Sequence, residues 1–301
     1  MLKRIDNAIP LPKYYQIGES VKVGLVMETR GDLYQNLSES LGRELEKHDF
    51  YSVPLSTSLF APDENLSHKA ICLKKYIANG FDSLVIYGTR HQPYKLLHKY
   101  RSAFRQLNFI CQCESGIDFQ EANFIVYAAA KAGRMAAEYL LKAGRKRFLF
   151  ITFEELPEKE RRRNGCRSRC IDAVALDGMR SVFRKAGFPD SSLNVISSND
   201  EELLQKKLPE LLNKEPLGIF AFGDNRAIPV YKIATRMGLD FKKHLSVVGL
   251  YNTSWTEILT PQLTSISIEE SEIARIAADC IVRRKSGQRI LVEPKLIVRE
   301  T

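Results

Sequence analysis

Residues 216–268 read PLGIFAFGDNRAIPVYKIATRMGLDFKKHLSVVGLYNTSWTEILTPQLTSISI. Gly218–Phe222 is a short apolar run that ends on the turn-forming step Gly223-Asp224. From Arg226 to Met237 the apolar residues fall at helical spacing, and a Gly-Leu pair follows. His244–Leu250 is a second apolar run, YNTSWTE is a polar connection, and Thr264–Ile268 is a third run. Short apolar strands alternating with an amphipathic helix predict a parallel sheet, because such strands are buried on both faces.

The same alternation extends outward. Upstream, an Ala/Leu-rich helix at Ala132–Ala143 ends at Gly144, a residue suited to a left-handed cap. Strand Arg147–Thr152, helix Ala173–Ala186, strand Leu193–Ser197 and helix Glu201–Asn213 follow; Glu154–Arg169 is charged and has no hydrophobic period. Further upstream, Val21–Met27 is a strand and Leu33, Leu37, Leu41 and Leu45 recur every four residues on a helix. Tyr51–Leu55, Ser67–Asn79, Ser83–Tyr87, Tyr94–Leu107 and Phe109–Gln112 continue as strand, helix, strand, helix and strand. Downstream come helix Ser271–Lys285 and strand Arg289–Val298, one unit more than the second series needs.

Two similar βα series predict an α/β protein with two doubly wound parallel-sheet lobes joined by three crossovers, which suits a chain of 301 residues. The expected boundaries are 1–20 for an N-terminal extension, 21–143 with 267–289 for the first lobe, and 144–266 with 290–301 for the second. Ligands of open α/β sheets bind outside the carboxyl ends of the strands, here in the crevice between the lobes.

Composition narrows the function. Hydrophobic content of 44% and charged content of 27% are ordinary for a globular protein, and no apolar run approaches the roughly 20 residues of a membrane helix. Residues 1–20 lack the apolar core of a secretory signal, so a cytoplasmic protein without membrane contact is expected. The six cysteines suit reduced thiols; Cys111-x-Cys113 and Cys166-x-x-x-Cys170 lack zinc spacing, so no metal is expected. The net charge of +9 favours acidic partners, but the dense patches Arg145-Lys146-Arg147 and Arg161-Arg162-Arg163 are expected to be solvated surface. There is no Gly-rich phosphate loop, nucleophile elbow or metal-spaced His pair, so neither catalysis nor a cofactor is expected.

In order and spacing the fragments resemble the sensor domain of the lac/galactose-repressor (LacI/GalR) family, whose fold is periplasmic binding protein-like. Besides 216–268, the carriers are VGLVM with Tyr34 beyond it, AGRMAAEYLLKAGRKRFLFI, GMRSVFRKAGF and the terminal PKLIVRET, which together span nearly all of Val21–Thr301. The resemblance implies a homodimeric transcription regulator that senses a sugar or similar small polar effector. Family members with a helix-turn-helix head carry about 60 residues before the first strand; here about 20 precede Val21, so DNA contact is expected only through a head outside this chain. Leu11–Ile17 (LPKYYQI) resembles the opening of a GntR-type winged-helix head, or is a chance match in an extension. Three effector-pocket positions depart from the family: Ala175 replaces an Arg, Ala128-Ala129-Ala130 lacks an acidic residue, and Tyr251 replaces an Asp.

With this fold, strand carboxyl ends put Glu28, Arg30, Tyr34, Tyr87 and Arg90 on the first-lobe wall and Asp224, Tyr251, Asn252 and Trp255 on the second. Asp224 either accepts ligand hydroxyls or caps the helix it precedes. Trp255 either stacks on a ligand or wedges a hinge loop, and Arg30 and Arg90 are anion anchors or solvated rim charges. Two other readings stay open: a solute-binding protein of the same fold, and a degenerate dimerisation module that binds nothing.

Overall fold

The computed structural model describes residues 21–27, 32–55, 66–87, 94–110, 119–152, 171–197, 201–212 and 215–301. In chain order the elements are β1 (Lys22–Val26), α1 (Asp32–Glu46), β2 (Tyr51–Pro54), α2 (Leu66–Ala78), β3 (Ser83–Tyr87), α3 (Tyr94–Tyr100), β4 (Gln106–Ile110) and β5 (Asn123–Tyr127). Then come α4 (Ala129–Lys142), β6 (Arg147–Thr152), α5 (Ile171–Lys185), β7 (Leu193–Ser197), α6 (Glu201–Leu212), β8 (Leu217–Ala221), α7 (Ala227–Arg236) and β9 (Leu245–Leu250). The chain closes with α8 (Trp255–Ile258), β10 (Thr264–Ser267), α9 (Glu270–Val282), β11 (Arg289–Val292) and β12 (Lys295–Ile297).

These strands form two six-stranded sheets, ordered β11-β5-β4-β3-β1-β2 and β12-β10-β9-β8-β6-β7. Every pairing is parallel except β12 on β10, which is antiparallel. The inner strands of each sheet are buried on both faces, as the apolar runs require, and the edge strands β2, β7, β11 and β12 are partly exposed. Along β6, Phe148 and Phe150 enter one core while Leu149 and Ile151 enter another, and along β8 Phe220 and Ile219 divide in the same way. The alternation is the period of two of a pleated strand. The core under α1, α4, α5 and α9 is continuous from one sheet to the other. Leu37, Leu41 and Leu45 of α1 are fully buried in it, each contributing about 1.5–3 kcal/mol.

The chain passes between the sheets after β5, after β10 and after β11. The passages are tied together: the amide of Ala128 donates to the carbonyl of Val292 at 3.0 Å, Lys131 pairs with Glu293, and Lys295 pairs with Glu269 at 2.5 Å. Gly144 does terminate α4, with φ +73°.

Several boundaries differ from expectation. The strand Asn123–Tyr127 was not anticipated, because its last residue runs straight into an alanine-rich helix with no turn signal. The expected strand 289–298 divides at Glu293-Pro294: Pro294 has no N–H for a ladder, and the two halves join different sheets. The expected helix 94–107 stops at Tyr100, gives one 3-10 turn at Arg101–Ala103, and β4 begins at Gln106. Sheet membership shifts the lobe boundaries too: α4 packs on α5 and the second sheet, so the first change falls near residue 128 and not 143, and β11 keeps 290–292 with the first sheet.

Arg145 also departs from expectation. It is 7% exposed, not solvated, donating to Ser246 Oγ at 3.1 Å and to the carbonyls of Lys243 at 3.2 Å and Lys242 at 2.5 Å. Burial lowers its pKa, and these acceptors share the charge that water would otherwise solvate. Arg147 donates to the carbonyl of Leu211 at 3.0 Å. The arginines at 161–163 lie outside the described residues.

Candidate functional site

The carboxyl ends of the two sheets meet where the chain crosses. Tyr127, the last residue of β5, lies edge-on to Tyr251 just after β9, with ring centroids 6.3 Å apart. Tyr251 in turn lies edge-on to Phe222 beyond β8, also at 6.3 Å. On the first lobe Tyr34 of α1 makes an edge contact with Tyr87 at the end of β3, at 4.6 Å. Tyr34, Tyr87 and Tyr251 therefore stand among aromatic neighbours at these strand ends. Tyr127 and Phe222 join them without having been singled out from the sequence, although each closes an apolar run as Tyr87 does.

Asp224 does something other than either sequence reading. The chain turns at Gly223 with φ +126°, and Asp224 is 1% exposed. Its Oδ1 accepts the Ser265 hydroxyl at 2.6 Å; its Oδ2 accepts the Thr253 amide at 2.7 Å and hydroxyl at 2.9 Å. The 224–226 turn receives no side-chain cap. Room for the carboxylate comes from Gly249, where a Cβ would lie 2.1 Å from Oδ1. Burial raises the Asp224 carboxyl to about 6 against the opposing pull of those donors and of Arg299. Both oxygens of Asp224 thus already accept hydrogen bonds from within the protein, so a ligand hydroxyl donating to it would compete with Ser265 and Thr253.

Asn252 is similarly engaged. It follows Tyr251, and both hold positive φ, 50° and 94°. Asn252 Oδ1 accepts from Arg299 Nη2 at 2.8 Å, and its amide donates to Ser265 Oγ at 3.2 Å. Trp255 opens the single turn of α8 and remains 37% exposed, while Thr256 beside it is buried and donates to the Thr253 carbonyl at 2.8 Å. The loop is thus anchored by its threonines and not by its tryptophan.

Glu28, Arg30 and Arg90 lie outside the described residues, as do Cys111, Cys113, Cys166 and Cys170. Ala175, the position where the family carries Arg, is fully buried, and its carbonyl occupies the space beside Gly133, 1.8 Å from where a Cβ would be. A residue the sequence reading passed over is Asp172, 2% exposed at the start of α5. It accepts the Thr152 hydroxyl from the end of β6 at 2.5 Å and the Ala173 amide at 3.1 Å. An acid directly before an amphipathic run was the available signal.

Among the described residues no three His, Cys, Asp or Glu side chains converge to hold a metal, and no helix is long and apolar enough to cross a membrane.

Known proteins share this fold. The chain is 26% identical over 186 residues to the HTH-type transcriptional regulator DegA of Bacillus subtilis, covering 60% of this chain and 52% of that one. It thus spans about half the length of the curated relatives it matches. A solved periplasmic binding protein/LacI transcriptional regulator from Alkaliphilus metalliredigens, complexed with D-xylulofuranose, superposes with TM-score 0.73 at 18% identity, covering 94% of this chain and 99% of that one. A LacI family transcriptional regulator from Enterococcus faecium with bound ribose gives 0.72 at 17% identity, covering 92% and 97%. These likenesses bear out the expected α/β fold and the resemblance to LacI/GalR effector-binding domains. The model of the periplasmic binding protein-like domain matches residues 137–301, more than half of the sequence, and the chain belongs to that family.

Proposed function

We propose that this chain is the effector-sensing core of a LacI/GalR-type transcription regulator, which binds a small carbohydrate or carbohydrate-like ligand between its lobes. The observation that carries the reading is the convergence of Tyr127 and Tyr251, at the carboxyl ends of β5 and β9, beside three tied interlobe passages. A ligand held at both edges stabilises a closed arrangement by its differential affinity, and closure alters the geometry of a homodimer. The sugar-bound structures with the same fold support a carbohydrate effector. Exposed Ile258 and Val298, 63% and 59% accessible, support a partner surface on the second lobe. DNA recognition comes through a head outside the sensor core, and the protein acts in the cytoplasm without catalysing a reaction. Tyr34, Tyr251 and Trp255 are the described residues best suited to stack on a ligand, with the buried Tyr87 backing Tyr34; Asp224 and Asn252 hold the loop that presents Tyr251.

Calorimetric titration of the chain with pentoses, hexoses and nucleosides tests this. Saturable binding of one class, lost in Trp255→Ala, whose side chain is exposed, and accompanied by a rise in melting temperature, supports a sensor. Absence of binding by any class, with a dimer intact, overturns it in favour of a dimerisation module.

A further inference from the structure

The amino ends of β6, β8 and β9 form a pole of the second sheet, opposite the strand ends where the lobes meet. Several segments are bonded together there. The buried Arg145, between α4 and β6, donates to the carbonyls of Lys242 and Lys243 at 2.5 and 3.2 Å. Arg147 at the start of β6 reaches the Leu211 carbonyl of α6 at 3.0 Å, and the Leu217 amide at the start of β8 reaches the His244 carbonyl at 2.9 Å. Asp240 accepts the amides of Lys242 and Lys243 at 2.7 and 2.6 Å, closing the connection between α7 and β9 into a turn. The backbone beneath the pole is therefore fixed, and Lys146, Lys242 and Lys243 stand exposed on it.

Their charge is not neutralised in place. None of the three forms an ion pair with a carboxylate among the described residues. Lys142 and Arg236, in the last turns of α4 and α7, have a local role, because the free carbonyls of a helix C-terminus favour a cation. Lys146, Lys242 and Lys243 lie on connections outside those helices, where no such role exists. The amino end of the first sheet is balanced differently. There Arg101 meets Glu121 at 3.1 Å, Arg105 meets Asp82 at 3.4 Å, and Arg283 and Lys285 share Asp279, each at 2.6 Å. Lys22, Lys75 and Arg284, which have no such partner among the described residues, are spread over β1, α2 and the end of α9.

The kind of partner follows from the donors. Arg145 and Arg147 direct guanidinium donors to backbone carbonyls, so the groups that rise from the bonded loops are compact ammonium ions, which hold phosphate as point charges and lack the fork that grips a planar carboxylate. None of the large apolar side chains exposed on the described surface falls within 142–147 or 236–244. The pole thus offers neither an apolar anchor for a protein partner nor an aromatic platform for unstacked bases.

We propose that this pole is a contact surface for the phosphate backbone of double-stranded nucleic acid, held without regard to base sequence. Lys146, Lys242 and Lys243 displace counterions from the phosphates, and Lys142 and Arg236 extend the positive face. The contact is separate from the interlobe cleft and from any head that reads an operator.

The test is fluorescence anisotropy of the full chain with short labelled DNA duplexes of two unrelated sequences, between about 50 and 200 mM salt, and with poly-glutamate as a second polyanion. Both duplexes should bind alike. Lys146→Gln/Lys242→Gln/Lys243→Gln should weaken both by about tenfold or more at the lower salt, and should reduce the slope of log K against log salt by about 2–3. Lys22→Gln/Lys74→Gln/Lys75→Gln, which removes the same charge from the first lobe, should weaken binding by less than about threefold. Equal losses in the two variants would mean that net charge alone attracts the duplex, and would overturn the proposal. An unchanged Lys146→Gln/Lys242→Gln/Lys243→Gln variant, or no binding at about 50 mM salt, would do the same. Poly-glutamate bound as tightly as the duplexes would overturn it in favour of an acidic protein partner. All the replaced lysines are exposed, so melting temperatures equal to wild type verify that the variants fold.

Discussion

Ser265 donates its hydroxyl to Asp224 across 41 residues of sequence at 2.6 Å, binding the end of β8 to β10 just before the chain leaves the second lobe. Together with the two bonds from Thr253, it turns an expected ligand anchor into a structural lock. Asp224→Ala strands three donors, the fully buried Ser265 hydroxyl among them, and should cost about 2–4 kcal/mol in urea unfolding. A loss below about 0.5 kcal/mol would show that water replaces the carboxylate freely.

The lock also sets a pH dependence. Burial raises the Asp224 carboxyl from 3.8 to about 6, so between those values the folded protein keeps a proton that the unfolded chain has lost. Its contribution is complete below about pH 4 and is lost as pH rises through 6, by an amount on the order of 3 kcal/mol. Asp190, Asp240, Glu269 and Asp279, whose carboxyl pKa values are lowered by their partners, act in the opposite sense, so the whole-protein profile mixes the two. The difference between wild type and Asp224→Asn isolates the group: the wild type should lose stability relative to the variant between pH 4 and pH 7. A difference that stays flat across this range contradicts the raised pKa.

Gly133 and Gly178 let α4 and α5 touch backbone to backbone. A Cβ at 133 would lie 1.8 Å from the Ala175 carbonyl oxygen, and one at 178 would lie 2.0 Å from that of Ala130. Alanine is the better helix former by about 1 kcal/mol, yet the obstructing atoms are backbone and cannot step aside. Gly133→Ala and Gly178→Ala should each therefore destabilise by about 1–3 kcal/mol, measured by chemical denaturation. Stabilisation by either would mean that the helices separate at no cost.

These relationships explain what the sequence disclosed and what it did not. Apolar runs bounded by polar residues, such as VKVGLVM and LSVVGL, announce buried parallel strands because burial on both faces leaves no polar alternation. Gly144 announced a helix end because the left-handed conformation favours a residue without Cβ. Asp224 could not be understood the same way, since its partners Thr253 and Ser265 lie 29 and 41 residues on. Arg145 looked like one member of a surface charge run, and its acceptors stand 97 to 101 residues away. The loss of Arg at position 175 was legible as a departure, but not that the Ala175 backbone fills the space beside Gly133. Tyr34 and Tyr87 are expected from the sequence on the first-lobe wall, but their edge contact with each other, between α1 and the end of β3, was not legible.

Tyr251 offers the last prediction. Its φ of 94° is costly for any residue with a Cβ, on the order of 1–3 kcal/mol, and its ring stands between Tyr127 of one lobe and Phe222 of the other. Replacement by alanine removes the ring contacts and keeps the strained backbone, whereas glycine removes the contacts and relieves the strain. In most positions glycine is the more destabilising choice, because it frees the unfolded chain. Here the order should invert, with Tyr251→Gly more stable than Tyr251→Ala by about 1 kcal/mol and both below wild type. Urea melts of the three proteins decide it: the ordinary order, alanine above glycine, would mean that the backbone at 251 relaxes out of the left-handed region once the ring is gone.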